Sequence, residues 1–201
     1  MTDLPFVDYQ FPSVQPEGPP IAIIGEAPGN EEVKQGKPFA GRSGKLLDEN
    51  LQAAGLDRRT CLVANTFRYQ PPGNKVAHFF ASRGRARKEG FEVVEAWGPL
   101  GTSDYVRAEF APELERLRQV LRELAPAVIL ALGRTPTWAL TGRNGIMGLR
   151  GQVLDCRLAP GARVVPTFHP SYILRGQRRE EPAFLADIRT AMEQAGGQAA
   201  S

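Results

Sequence analysis

Cysteine is nearly absent from this chain of 201 residues, because only Cys61 and Cys156 occur. Two thiols are too few for a four-thiolate metal or iron–sulfur site, so we expect no metal. We interpret both as reduced side chains, buried or half-buried, as is usual for intracellular thiols. Apolar runs are short as well: none approaches the roughly 18 residues that span a bilayer, and the first residues lack a signal-peptide pattern. We therefore expect an intracellular, cytoplasmic protein with no membrane partner.

A large excess of charge is also missing. The 25 Lys and Arg residues oppose 22 Asp and Glu residues, which leaves a formal charge of +3 and is weak evidence for a nucleic-acid partner. A hydrophobic share of 42% with 23% charged residues is ordinary for a globular protein and excludes wholesale disorder. A chain of this length can bury a core but is short for two domains, so we predict a single domain over residues 1–201.

Short apolar runs alternate with helical patterns along most of the chain. Residues 1–19 are polar and proline-rich and predict an extended arm, whereas residues 76–111 break the alternation and predict an insertion. The predicted strands are residues 21–24, 61–65, 127–133 and 163–168. Continuous apolar strands separated by helices are typical of a parallel sheet that is covered on both faces. We therefore predict a three-layer α/β/α sandwich with a central four-stranded parallel sheet.

Amphipathic helices are predicted between these strands. Ser43 can cap a helix that Gly55 ends, and Pro112 is suited to the first turn of a second helix. A third helix is predicted over residues 181–196.

Three segments directly follow predicted strands, where a parallel sheet places its ligand site. They are GEAPGNEEVKQGKPFAGRSG from Gly25, NTFRYQPPGN from Asn65 and HPSYILR from His169. Taken singly, each has a structural explanation as a turn, a cap or a loop histidine. The glycines of the first segment would also suit a phosphate- or nucleotide-binding protein, although no P-loop or dinucleotide fingerprint is present.

Taken together, the three segments resemble the motifs of the uracil-DNA glycosylase superfamily, and most closely its thermophile-type iron–sulfur branch, often called family 4. The resemblance covers about residues 20–195 apart from the insertion. It implies a monofunctional, monomeric enzyme without a cofactor that flips uracil out of DNA during base excision repair. Such an enzyme hydrolyses the N-glycosidic bond, releases free uracil and leaves an abasic site.

The chain departs from this branch where its members bind a four-iron cluster. Their four cysteines lie near the N-terminus and around the second motif, but here the arm has none and Tyr69 occupies the second-motif position. We therefore expect a cluster-free relative in which the arm and the insertion take over the packing role of the cluster.

A pocket for a flipped uracil needs a flat apolar surface, a group that hydrogen-bonds to the polar edge of the base, and a hydrogen-bond donor to the departing base. Phe39 is suited to stacking on the ring, and the Asn65 amide matches the N3–H donor and the O4 acceptor. The resemblance assigns to His169 the hydrogen bond to uracil O2, which strengthens as negative charge grows on the base. It also implies Gly25 and Ala27 as uracil-binding residues.

A carboxylate is needed near the sugar, which becomes cationic as the bond breaks. Glu26 is our candidate, because it is placed to orient water and stabilise that charge. Glu31 and Glu32 are alternatives, although we expect them to be solvated carboxylates in the first turn of a helix. No lysine is placed by the motifs as an imine-forming nucleophile, so strand cleavage is not expected.

Contacts to DNA are predicted in two places. In the third motif, Ser171 would contact a phosphate, Tyr172 to Leu174 would fill the vacated base stack and Arg175 would lie near the backbone. In the insertion, a group of basic residues would contact phosphates, or would form an ordinary solvated face. The candidates are Ser171, Tyr172, Ile173, Leu174, Arg175, Arg83, Arg85 and Arg87.

Two alternatives keep the same fold but differ in what the protein does to the DNA. One branch of the superfamily is trapped covalently on the abasic sugar through a histidine in a basic loop after the second motif, and His78 lies in the insertion here. The residues around His78 do not match that loop closely. The second alternative is a protein that binds uracil or abasic DNA with little turnover.

Overall fold

A computed structural model describes residues 3–199 of the chain. Its strands are β1 (Ile21–Gly25), β2 (Leu62–Asn65), β3 (Phe80–Ala81), β4 (Val93–Val94), β5 (Tyr105–Arg107), β6 (Val128–Leu132), β7 (Leu154–Asp155) and β8 (Arg163–Thr167). Its α-helices are α1 (Asn30–Gln35), α2 (Gly41–Ala54), α3 (Arg83–Glu89), α4 (Ala111–Leu124), α5 (Arg134–Thr141), α6 (Ile146–Leu149), α7 (Pro170–Leu174) and α8 (Glu181–Ala199). None of the helices in these residues is both long and apolar enough to cross a membrane.

The central sheet has the order β2-β1-β6-β8-β7. The four predicted strands pair in parallel, and Ile24 of β1 lies beside Ala64 on one side and Ala131 on the other. The prediction of four strands is wrong by one, because β7 adds a short antiparallel edge to β8. Two residues are too few to show a strand pattern in the sequence.

Helices cover both faces of this sheet, which confirms the predicted α/β fold. On one face, Leu47 of α2 and Phe184 of α8 pack against Ile23 of β1 in one apolar cluster. On the other face, Leu117 of α4 belongs to the cluster that contains Ile24. Neighbouring residues of β1 therefore point to opposite layers, as the alternation of side chains along a strand requires.

The start of α2 differs from the prediction. Ala40, not Ser43, is the N-cap residue, because Phe39 has a positive φ of 52° and turns the chain directly into the helix. The predicted end at Gly55 is confirmed, with a φ of 85°. Pro112 lies in the first turn of α4, as predicted.

The insertion and the arm both pack beside the central sheet. Within residues 76–111, β3, β5 and β4 form an antiparallel sheet of their own, and Phe79 and Phe110 join the apolar cluster of α4. The arm runs antiparallel to β2, since the backbone N–H of Gln10 donates to Val63 O and the reverse bond is also present.

Candidate functional site

The carboxyl ends of β1, β6 and β8 surround a cavity of about 580 Å³. All three predicted segments contribute to its wall, and so does the segment after β6. Its lining includes Glu26, Glu32, Phe39, Asn74, Arg134, His169 and Arg175. The segments lie far apart in the sequence, so the parallel sheet is what brings them together.

Glu32 connects three parts of this site. Its Oε2 accepts from the backbone N–H of Gly29 at 2.7 Å, and its Oε1 accepts from the backbone N–H of Phe39 at 2.6 Å. The same Oε1 accepts from Nδ2 of Asn65 at 3.4 Å. Burial raises the pKa of Glu32. Our expectation of a solvated carboxylate is therefore wrong for Glu32, because the chain after α1 returns over it; it holds for Glu31, which is exposed.

Phe39 and Asn65 meet above Gly25. A Cβ atom on Gly25 would lie 2.4 Å from Cζ of Phe39 and 2.5 Å from Oδ1 of Asn65, so a side chain at this position would displace both residues. Phe39 is 4% exposed and Asn65 3% exposed. The ring of Phe39 lies on the cavity wall, 5.9 Å from the His169 ring between centroids, whereas Asn65 lies just behind that wall.

His169 caps the start of α7 and presents a defined imidazole. Its Nδ1 accepts from the backbone N–H of Ser171 at 3.1 Å, so in the neutral ring the proton is on Nε2. Burial, with a contribution from the charge of Arg175, lowers the pKa of His169 to about 4. A side chain at Gly133 would crowd His169, because a Cβ there would lie 3.2 Å from Cβ of His169. The site therefore holds a neutral histidine at physiological pH.

Glu26 follows β1 directly and lies half-buried in the cavity wall. Its Oε2 accepts from the Thr135 hydroxyl at 2.5 Å. Burial raises the pKa of Glu26, while the Thr135 hydroxyl and the charges of Arg134 and Arg175 act in the opposite direction. Ala27 also lines the cavity.

The segment after β6 was missed by the sequence reasoning. Gly133 and Arg134 line the cavity, and Thr135 contacts Glu26. The predicted strand β6 could have indicated this segment, because ligand sites lie at the carboxyl ends of parallel strands. Asn74 was also missed as a site residue, although it ends the second motif; it lines the cavity and its Oδ1 accepts from Gln70 Nε2 at 2.8 Å.

The third motif provides fewer exposed groups than predicted. Ile173 is fully buried in the core, so the expectation that it fills the DNA stack is corrected. Tyr172 is half-buried and stacks on Phe168 with centroids 5.2 Å apart, and Leu174 is half-buried against the same apolar cluster. Arg175 is exposed at the cavity. The Ser171 hydroxyl lies 2.8 Å from Nδ1 of His169.

The candidate residues Arg83, Arg85 and Arg87 of the insertion are exposed and lie outside the cavity lining. Arg83 forms an ion pair with Glu95, and Arg85 with Glu89 at 3.0 Å. Arg87 is exposed on the same helix.

Tyr69 of the second motif takes part in aromatic packing. Tyr69 contacts Phe6 of the arm edge to face, with centroids 5.4 Å apart. The neighbouring Arg68 lies over the same Phe6 ring and forms two hydrogen bonds of 2.9 Å with the buried Glu113. The two cysteines are free and buried, as predicted. In residues 3–199, no group of three or more His, Cys, Asp or Glu side chains is placed to hold a metal.

Comparison with known families bears on the resemblance that the three motifs indicate. A family model described as the uracil DNA glycosylase superfamily matches residues 11–193. The chain belongs to this superfamily.

Several relatives within the superfamily are type-4 uracil-DNA glycosylases. The protein from Thermotoga maritima is 32% identical over 174 residues, covering 85% of this chain and 75% of the relative. The protein from Archaeoglobus fulgidus is 32% identical over 177 residues, with the same two coverages. The protein from Saccharolobus solfataricus is 43% identical over 162 residues, covering 77% of this chain and 62% of the relative. The resemblance that the motifs predicted is thereby confirmed.

Proposed function

We propose that this chain is a monofunctional uracil-DNA glycosylase that starts base excision repair. It would release free uracil from DNA and leave an abasic site. The main support is the convergence of Gly25, Phe39, Asn65 and His169 at one end of the sheet. The activity for which the type-4 relatives are named supports the same substrate.

Recognition of the base would depend on the orientation of one amide. Nδ2 of Asn65 donates one hydrogen to Glu32, which leaves its second hydrogen for uracil O4 and leaves Oδ1 to accept from N3–H. Cytosine presents the opposite donor and acceptor at these positions, so the same amide would oppose it. Phe39 would stack on the ring.

Cleavage would use groups on opposite sides of the N-glycosidic bond. The Nε2–H of the neutral His169 would donate to O2 of the departing base, where negative charge develops. The carboxylate of Glu26 would orient a water molecule and stabilise the cationic sugar. Both groups line the same cavity.

DNA would be held at the rim of the cavity. Arg175 is placed to contact the backbone, and Tyr172 and Leu174 remain our candidates for filling the vacated stack. Ser171 remains a candidate for a phosphate contact through its hydroxyl. In the insertion, Arg87 is exposed, whereas Arg83 already has an acidic partner.

One observation disfavours covalent trapping on the abasic sugar. The ring of His78 packs edge to face against Phe79 and Phe110, with centroids 5.9 and 5.6 Å apart. His78 is not among the residues that line the cavity. A binding protein with little turnover would use the same base pocket, and turnover separates it from an enzyme.

The test is an excision assay on oligonucleotides that contain U·G, U·A or single-stranded uracil, followed by alkali. We expect cleavage at the uracil only after alkali, and multiple turnovers with substrate in excess. A denaturing gel of the same reactions should show no shifted protein band. The absence of alkali-dependent cleavage on all three substrates would reject the proposed function.

A further inference from the structure

Thr135 forms a hydrogen bond with Glu26 but has no part in the proposed reaction. Its hydroxyl donates to Oε2 of Glu26 at 2.5 Å, and its side chain is 0% exposed. The two residues are 109 positions apart in the sequence. They meet because β1 and β6 are neighbours in the sheet, and each residue follows the carboxyl end of its strand.

We propose that Thr135 is a positioning residue for Glu26, whose hydroxyl holds the carboxylate in the cavity wall and stabilises its ionised form. This role rests on the proposed function, because Glu26 must be ionised to stabilise a cationic sugar. A hydroxyl that donates to a carboxylate favours the charged form, whereas valine has the same shape and cannot donate.

The charges near Glu26 act on its carboxylate differently from the Thr135 hydroxyl. Burial raises the pKa of Glu26, and Arg134 from α5 and Arg175 after α7 oppose that effect from a distance. The other ionisable groups that line the cavity are Glu31, Glu32, Arg42 and His169. Thr135 is the side-chain donor that contacts Glu26, so it sets the orientation of the carboxylate as well as its charge.

Thr137 provides a matched comparison in the same helix. It is 1% exposed, and its hydroxyl donates to the backbone oxygen of Gly133 at 2.8 Å. This is the usual bond of a helical threonine to its own helix. The acceptor of Thr135 is instead the side chain of Glu26, which lies outside this helix and directly after β1, and a purely helical role does not explain this bond.

The experiment compares Thr135→Val, Thr135→Ser and Thr137→Val in the full chain. Two quantities are measured across pH: the single-turnover rate of uracil excision, and the pKa of Glu26 from the NMR shift of its Cδ atom. In Thr135→Val, we expect the pKa of Glu26 and the acidic limb of the rate profile to rise by about one pH unit. The rate near neutral pH should fall about tenfold. Thr135→Ser should keep the parental pKa of Glu26 and the parental excision rates. Thr137→Val should leave this pKa and these rates unchanged.

The outcomes separate this inference from the proposed function. If the parent protein excises uracil and Thr135→Val has the same Glu26 pKa and rate profile as Thr137→Val, the positioning role is wrong. If the parent protein excises no uracil, the proposed function fails, and the NMR titration still decides whether Thr135 controls Glu26. Thermal unfolding is measured first, and Thr135→Ala replaces Thr135→Val if the valine variant is unfolded. In a Glu26→Gln background, Thr135→Val should cause no further loss.

Discussion

The backbone N–H of Ser171 donates to Nδ1 of His169 over 3.1 Å. This bond requires a lone pair on Nδ1, so the neutral ring carries its proton on Nε2. Burial, the main cause of the low pKa of about 4, removes the charged form. Together the two effects leave His169 as a donor without charge.

The first prediction concerns stability and pH. The pKa of His169 is about 4 in the folded chain and near 6.5 when unfolded, so the unfolded chain binds more protons between these values. His169 therefore contributes stability that is present above about pH 6.5 and is lost as the pH falls toward 4. His169→Ala should flatten this part of the stability profile, as measured by thermal unfolding of both proteins across pH. A profile parallel to the parent's would contradict the lowered pKa.

The second prediction concerns Asn65. Asn65→Ala should lower the single-turnover rate of uracil excision by at least about a hundredfold, because the base would leave polar groups unpaired in a buried pocket. Asn50 is the control, since it is a buried asparagine in α2 whose Nδ2 donates to Leu46 O. Asn50→Ala should affect stability and leave the excision rate of the folded protein close to the parent's.

The third prediction extends to Asn65→Asp. This carboxyl would face Glu32, and two adjacent carboxyl groups share a proton rather than both ionise. With that proton held between the two groups, the oxygen that replaces Nδ2 can accept from the amino group of cytosine but cannot donate to O4 of uracil. We expect loss of uracil excision and a trace of cytosine excision, measured on matched oligonucleotides. Retention of uracil excision near the parental rate would show that Asn65 does not read the base.

The fourth prediction concerns the ion pair beside the arm. Arg68 and Glu113 are both largely buried and share two hydrogen bonds of 2.9 Å. Glu113→Gln would leave the guanidinium without its charged partner, so it should lower the free energy of unfolding by about 3 kcal/mol. Urea unfolding measures this loss. As a control, Glu115→Gln removes an exposed partner of Arg118 on the same helix and should change stability by less than about 1 kcal/mol.

The fifth prediction concerns the basic face of α3. Replacing Arg83, Arg85 and Arg87 with glutamine should weaken DNA binding and reduce its dependence on salt, without changing the single-turnover rate at saturating protein. Arg163→Gln is the control, because Arg163 is also exposed but begins β8, at the opposite end of the sheet from the cavity. An unchanged salt slope in the triple variant would identify this face as merely solvated.

Local patterns in the sequence were sufficient for much of the architecture. The apolar runs of the four parallel strands, the glycine end of α2 and the proline start of α4 each depend on neighbouring residues only. The order of the three motifs also located Phe39, Asn65 and His169. A parallel sheet then brings the carboxyl ends of its strands to one edge, so their convergence followed from the fold class.

The sequence by itself therefore determined the parallel sheet, the family motifs and the edge at which they meet. The tertiary structure decided which side chains are buried and what they contact there. The sequence alone predicts a solvated carboxylate at Glu32 and an exposed apolar side chain at Ile173. In the folded chain, Glu32 accepts from the backbone N–H of Phe39 and Ile173 is buried. The bond between Thr135 and Glu26 joins the first turn of α5 to the residue after β1. Burial and such contacts depend on neighbours distant in the sequence, so no local pattern could have shown them.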